Sequence, residues 1–428
     1  MTEPPRTPTG FVAGLVALAL GGFGIGLTEF LIAGLLPQVA SDFQVSEEAA
    51  GRLISGYALS VAVGAIALTA ATARLPRKQL LIGLMALFIL GNLLSALAPT
   101  YHLMLLGRII AALCHGTFFG TGSLVARTLV PPERASRAVA VMFAGLTVAN
   151  VLGVPFGTLI GERWGWRAAF WSITAIGALA LTGIATLVPD GTARTVRTWR
   201  TRSIGNRPSR TTTPPHRLTT PPPNTPIRAQ FRVFRSPQVQ LTLTATALGY
   251  GGMFGAFSYI AYTFTEVGGF SSADVAWLLM VYGVGLVVGN LLGGRAADHD
   301  RDRALVLALL GLTLTLTLFG LLAANAPATV ALTFLLGLTG FAPVPGLITR
   351  VTDHAHGAAL AAGANVSASN LGNALGAWLA GLALTAGLGY TAPLYIGAAL
   401  TLASVAVMSV AARKAQKDEA PWIPPRGL

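Results

Sequence analysis

The chain has 428 residues, 53% of them hydrophobic and only 11% charged, where a soluble domain carries roughly 25% charged residues. Its formal net charge of +13 falls in short stretches between long apolar runs. That distribution excludes a nucleic-acid-binding surface and describes an integral membrane protein.

In chain order, the first apolar run is FVAGLVALALGGFGIGLTEFLIAGLLPQVA, Phe11 to Ala40, with one acid, Glu29, inside it. It is longer than the apolar core of a signal peptide and has no convincing cleavage site after it, so it is expected to stay in the mature protein. Runs of about 20 residues fit helices crossing a bilayer, whereas barrel strands give alternating segments of about 10. Helices are predicted at 11–40, 48–72, 79–97, 103–126, 137–161 and 168–188. The stretch Pro189 to Pro237 holds ten Arg, one acid and the run TTTPPHRLTTPPPNTP; it cannot bury a core and reads as a disordered cytoplasmic linker. Six more helices are predicted at 238–262, 274–294, 304–323, 328–349, 357–384 and 391–411.

The fold class is thus an all-α membrane protein with twelve transmembrane helices in two pseudo-symmetric six-helix halves. The N-terminal half spans 1–188, the linker 189–237, the C-terminal half 238–412 and a cytoplasmic tail 413–428. Of the 29 Lys and Arg, all but Arg52, Arg108, Arg163 and Arg167 lie in the termini, the linker or one alternate set of loops. The positive-inside rule puts that set, and both termini, in the cytoplasm. The single cysteine, Cys114, excludes an intrachain disulfide and reads as a small packing residue.

An internal repeat supports the two halves. At an offset of 225, Tyr57 falls on Tyr282, Gly64 on Gly289, Arg74 on His299 and Lys78 on Arg303. At 223, Ala149 falls on Gly372, Asn150 on Asn373, Gly153 on Gly376 and Gly157 on Ala380. Parallel halves with a path between them are a recurrent transporter architecture, in which one half rocks on the other. The repeat carries Glu29 onto Phe254 and Arg108 onto Thr333, so the charged groups at depth belong to the N-terminal half alone.

A carboxyl at membrane depth costs about 2.5 kcal/mol or more and is rarely kept without a role. Glu29 is therefore expected to be a proton acceptor facing a central cavity, against the plainer reading of a carboxyl held in a static bundle. Arg108 and His115 lie two turns apart on the fourth helix and share a face. Either is in reach of Glu29 or a ligand, unless Arg108 snorkels to the interface and His115 makes an ordinary interhelical hydrogen bond. The C-terminal half offers uncharged polar groups, Tyr259, Asn365, Asn370 and Asn373; with Asn150 these are the candidate cargo contacts.

Gly145, Ala149, Gly153, Gly157 and Gly161 form a strip of small residues on the fifth helix, and Pro155 within it removes a backbone donor and should bend the helix. Gly285, Gly289 and Gly293 repeat the strip on the eighth. These seams read either as fixed packing or as hinges between rocking halves. Arg74 and Arg77 mark one loop, and Gly294 and Asp298 its repeat, where Asp298 is expected to hold an inner gate through an arginine.

No lysine completes a GxxxxGK[ST] phosphate loop, and there is no HExxH run, Cys/His metal cluster or GxSxG elbow. The expectation is a protein that is not an enzyme, with no cofactor and no metal, working on an ion gradient or downhill as a monomer. Its partners would be protons, a small-molecule substrate and the lipid bilayer of the plasma membrane, with no nucleic acid.

Four segments resemble one family. GLTEFLIAGLLPQVA (Gly26 to Ala40), GRIIAALCHGTFFG (Gly107 to Gly120), GLTVANVLGVPFGTLIGERWGWRAAFW (Gly145 to Trp171) and NLGNALGAW (Asn370 to Trp378) are similar to the drug:proton antiporter branch of the major facilitator superfamily, which includes arabinose-efflux-like and chloramphenicol-resistance exporters. The third segment resembles the family's antiport motif, although Val154 separates its Gly153 and Pro155. Arg108 falls on the family's helix-four arginine, which the resemblance links to proton transfer. The loop motif GxLxDRxGRK is degraded, with Thr69, Ala73 and Pro76 in place of its glycine, aspartate and second glycine, while Arg74, Arg77 and Lys78 remain.

The resemblance implies efflux of a small molecule, such as chloramphenicol or a sugar, by proton antiport. The alternatives left open are a proton-independent sugar or nucleoside facilitator, in which Glu29 only binds the ligand, and a transporter-like membrane sensor.

Overall fold

A computed structural model of the chain describes residues 8–72, 74–131, 135–189, 232–355 and 359–419. Most of the linker and the last nine residues lie outside the described residues. Helices α1 (Pro8–Phe43), α2 (Glu47–Thr72) and α3 (Arg77–Leu97) follow one another through short turns. Helix α4 is Tyr101–Leu113 continued as His115–Thr128, and α5 is Ala135–Val148, a π turn Ala149–Gly153 and Val154–Trp164. Gly165, at φ 85°, makes the one-residue left-handed turn into α6 (Trp166–Leu187).

The second half opens with α7, built from Pro237–Ser258, Ile260–Tyr262 and the π turn Thr263–Val267, broken where Tyr259 leaves helical geometry. The 51-residue helix Ser272–Leu322 is two crossings joined at Asp300, whose φ of −148° and ψ of 92° are not helical; we call 272–299 α8 and 301–322 α9. Then come α10 (Ala326–His354, with a break near Pro343), α11 (Ala359–Thr385) and α12 (Ala392–Glu419). Among the described residues, these twelve helices correspond to the twelve predicted crossings.

Helices satisfy their own backbone in lipid, so the side chains decide the packing. Exposed Phe156, Leu179, Leu321 and Val410 cover the lipid-facing outside. Inside, α1 meets α5 through small residues: a Cβ on Gly145 would collide with the Ala19 carbonyl oxygen, and one on Gly26 would lie 3.2 Å from Ala149 Cβ. The repeat carries this seam intact into the second half, where Gly251 of α7 lies against Gly372 of α11. Both glycine strips therefore pack within a half, the first on α1 and the second, Gly285 to Gly293, on α10.

The halves meet along α2–α11, α5–α8 and α1–α7. At the end holding Asp42 and Glu47 they are tied: Tyr390 Oη donates to Glu47 at 2.6 Å and Thr385 Oγ1 to Glu48 at 3.0 Å. Below these bonds, Phe30 packs edge-on to Phe254 and Phe257, with ring centroids 5.6 and 5.9 Å away. Toward the opposite, basic-loop end, Ser367 Oγ reaches the Ala62 carbonyl at 3.4 Å, and beyond it Val63, Ile66 and Leu75 are exposed. The α5–α8 seam is likewise made by the π turn and Val154–Trp164, the part of α5 nearer the tied end.

Candidate functional site

Glu29 stands in the middle of α1 and is 8% exposed. The close approach of α5 to α1 and of α3 to α4 draws the neighbouring helices in around it. On the α3–α4 seam a Cβ on Gly107 would lie 2.6 Å from Ser95 Oγ, so only a glycine lets α4 come this near. Arg108, the next residue, is thereby aimed at α1.

Arg108 is 1% exposed and does not snorkel. Its Nη1 donates to the Thr28 carbonyl at 2.5 Å and to Thr28 Oγ1 at 3.2 Å, and its Cζ lies 4.2 Å from the centre of the Tyr57 ring. Thr28 Oγ1 in turn donates to Asn92 Oδ1 at 2.6 Å. Arg108 Nε and Nη2 are buried without a partner, and among the described residues the guanidinium forms no ion pair. Arg108 thus holds the peptide before Glu29 and leaves the carboxylate itself unneutralised.

The group that does approach Glu29 is His115, whose Nδ1 lies 3.9 Å from Oε2. The same nitrogen is 3.5 Å from Tyr57 Oη, and the ring leans on Phe119. Glu29, His115, Tyr57, Arg108 and Thr28 form one continuous buried chain of polar groups across α1, α2 and α4. The predicted shared face of Arg108 and His115 holds even though α4 breaks at Cys114, whose Sγ turns back to the Ala111 carbonyl at 3.1 Å.

The five candidate cargo contacts separate into two kinds. Tyr259 is 1% exposed, donates to the Ala377 carbonyl at 3.3 Å and fits against Gly51 and Gly381, wedging the tied end. Asn365 accepts from Thr246 at 3.1 Å, and Asn150 donates to the Leu146 carbonyl at 3.0 Å. Asn370 donates to the Val366 carbonyl at 3.0 Å, but among the described residues its buried Oδ1 has no partner, nor has that of Asn373.

Among the gate residues, Pro155 stands two residues after the end of the π turn: a proline has no N–H to return to the preceding turn, and the helix widens there. Gly153 and Gly157 face Phe23 and Leu31 of α1. Arg74 and Arg77 are exposed in the α2–α3 turn, and Gly294 lies 3.9 Å from Pro345. Asp298 is exposed and, among the described residues, has no hydrogen bond or ion pair.

The arginine–carboxylate pair near it is instead Arg350 with Asp302, at 2.9 and 3.1 Å, on the far side of the Asp300 bend. Arg350 is 0% exposed and also donates to Gln238, at 2.9 Å, and to Thr242. Arg301 pairs with Asp353 beside it. Sequence reading took Arg350 for a loop charge; the signal was its place in LITRVTDH, one turn inside an apolar stretch. Tyr57 was visible only as a repeat position, and Glu47 and Glu48 were masked by the common preference for acids at a helix start.

The sequence profile of the Major Facilitator Superfamily matches the chain twice, at residues 18–273 and 260–427. Over 403 residues the chain is 38% identical to the inner membrane transport protein YdhP of Escherichia coli (strain K12), covering 94% of this chain and 96% of that one. It is 30% identical over 394 residues to the chloramphenicol resistance protein of Streptomyces lividans, covering 92% of this chain and 94% of that one. The solved structure of a bacterial homologue of the human lysosomal transporter Spinster, inward-facing and occupied, superposes with a TM-score of 0.72 at 16% identity, over 99% of this chain and 100% of that chain.

Proposed function

The chain belongs to the major facilitator superfamily of membrane transporters, and on that premise we propose that it exports an uncharged small molecule, chloramphenicol-like or a sugar, in exchange for protons. The observation that carries this reading is Glu29: a carboxyl at mid-membrane with a histidine beside it and, among the described residues, no arginine or lysine bound to it. A carboxylate locked to Arg108 would keep one charge throughout; this one is free to change it.

In this reading the basic-loop end faces the cytoplasm, with both termini, so the form described is open inward and tied outside. Glu29, empty and negative, attracts the spare N–H groups of Arg108; loaded and neutral, it does not. The two states therefore favour the two orientations of the halves by different amounts, which is the differential interaction that coupling requires. His115 receives or relays the proton through Tyr57. Cargo meets Asn150, Tyr259, Asn365, Asn370 and Asn373, and α5 flexes at Gly153, Pro155 and Gly157. When the basic end closes, Asp298, next to Gly294 on its turn, meets a cationic partner across the cleft, while Arg74 and Arg77 in the other half meet hydrogen-bond acceptors. The protein acts as a monomer in the cell membrane. The chloramphenicol resistance protein among the relatives supports the choice of cargo.

The test is Glu29→Gln in everted vesicles supplied with labelled chloramphenicol in the medium. The variant is expected to lose accumulation driven by a proton gradient while keeping cargo–cargo exchange. Accumulation unchanged by the substitution would contradict the proton role, and loss of exchange as well would assign Glu29 to cargo binding in a facilitator.

A further inference from the structure

Two unpaired acceptors on one face of α11 define what the cargo must carry. The contacts of α11 divide its surface. Gly372 and Gly376 lie against the Ala247 and Gly251 carbonyls of α7, Ser367 reaches Ala62 of α2, and Leu371, Leu375 and Trp378 are exposed to lipid. The remaining sector, with Asn370, Asn373, Ala377 and Gly381, looks into the seam between the halves, where Tyr259 closes it at the tied end.

Depth follows from register. Helix α2 runs antiparallel to α11, with Glu48 beside Thr385 and Ala62 beside Ser367. Tyr57 is therefore level with Asn373, so the asparagines face the depth of Tyr57, His115 and Glu29. Phe254, by the α7 register against Gly376, lies about one turn further toward the tied end, with Phe30 and Phe257 packed around it.

The Asn370 amide orientation is set by its Nδ2 donating to the Val366 carbonyl, which leaves Oδ1 as the free acceptor. Asn370 is 5% exposed and Asn373 4%, and a buried acceptor without a donor carries an uncompensated desolvation cost. A cargo bringing donors removes that cost, and one without them does not. Resting on the transport reading above, we infer that Asn370 and Asn373 form a paired acceptor subsite selecting an uncharged cargo with two neighbouring hydroxyl or amide donors, about 4.5 Å apart along the helix, attached to an apolar or aromatic body that lies under the Phe30 cluster.

The experiment measures equilibrium binding to the purified full-length protein of chloramphenicol, which has two hydroxyls and a nitrophenyl ring, and of its dideoxy analogue with both hydroxyls replaced by hydrogen. Wild type, Asn370→Ala, Asn373→Ala and Asn373→Leu are compared. The wild type is expected to prefer chloramphenicol by about tenfold or more, and each variant to lose most of that preference while binding the analogue as the wild type does. A wild type that binds the two equally, or binds neither, overturns the inference; so do variants that keep the preference. Because the preference is a ratio measured on one protein, a loss of folded protein does not mimic it. Proton-driven accumulation in proteoliposomes is scored separately. Preference without accumulation sinks the exchange reading and keeps the subsite, whereas accumulation without preference does the reverse.

Discussion

The Arg108 guanidinium lies 4.2 Å from the centre of the Tyr57 ring, in a fully buried position, and among the described residues its hydrogen bonds go to Thr28 alone. A buried cation with two unpaired nitrogens lowers stability, and such groups are kept where they serve a function. Arg108→Met is therefore expected to leave the melting temperature in detergent unchanged or raise it by a few degrees, while proton-driven transport falls by at least about tenfold. Combined with Glu29→Gln, it should add little further loss, because the two act on one step. A melting point lowered together with transport would make Arg108 a structural residue.

Arg350 is the opposite case. Its three nitrogens are all matched, to Asp302, Gln238 and Thr242, and it joins α7, α9 and α10 inside one half. Removing one side of such a pair leaves an uncompensated charge, at about 3–5 kcal/mol. Arg350→Met should unfold readily or fail to accumulate in the membrane, and Arg350→Met with Asp302→Leu should recover much of the loss. Thermal unfolding of the single and double variants decides it.

The tied end rests on few bonds. Burial and the bond to the Glu47 carboxylate push the Tyr390 phenol up to about 12, the bond being the larger cause, so the phenol remains a donor throughout the physiological range. The folded form favours the neutral phenol: its contribution is complete below the ordinary tyrosine value of 10.0 and is lost as the pH rises through about 12. Tyr390→Phe, with Thr385→Val, should shift the population toward opening at that end by severalfold. Spin-label distances between the Glu47 and Tyr390 loops are the readout, and an unchanged distance distribution would deny the bonds any part in closure.

Small residues on α5 and α1 should tolerate nothing larger. Gly145→Ala brings a methyl onto the Ala19 carbonyl and is expected to cost about 1–3 kcal/mol, moving Glu29 with α1. Gly83→Ala on α3 meets nothing within 4 Å and should be neutral or stabilising by a few tenths of a kcal/mol to about 1 kcal/mol. The difference in melting temperature between these two variants measures the seam.

The crossings were legible because lipid demands long apolar runs, and the lone acid in the first of them identified Glu29. What hydropathy does not carry is where a helix breaks while staying apolar: the π turn before Pro155, the interruption at Tyr259, the α4 break at Cys114. Nor does spacing decide partners. It placed Arg108 and His115 on one face, but Thr28 and Glu29 point in different directions from α1, and only the packed helices assign the arginine to the first and the histidine to the second. Asp298 and Asp302 differ in the same way, because the bend at Asp300 turns one outward and the other into the bundle.

The most direct test is the proton itself. Purified protein in weakly buffered solution is mixed with saturating chloramphenicol, and the hydrogen ions released are counted for wild type and Glu29→Gln over a range of pH. The wild type should release protons on binding, with affinity rising as the pH rises, as linkage requires, and the glutamine variant should bind without release and without pH dependence. Equal release from both proteins, or binding by the wild type that leaves the pH untouched, would contradict a carboxyl on α1 as the carrier.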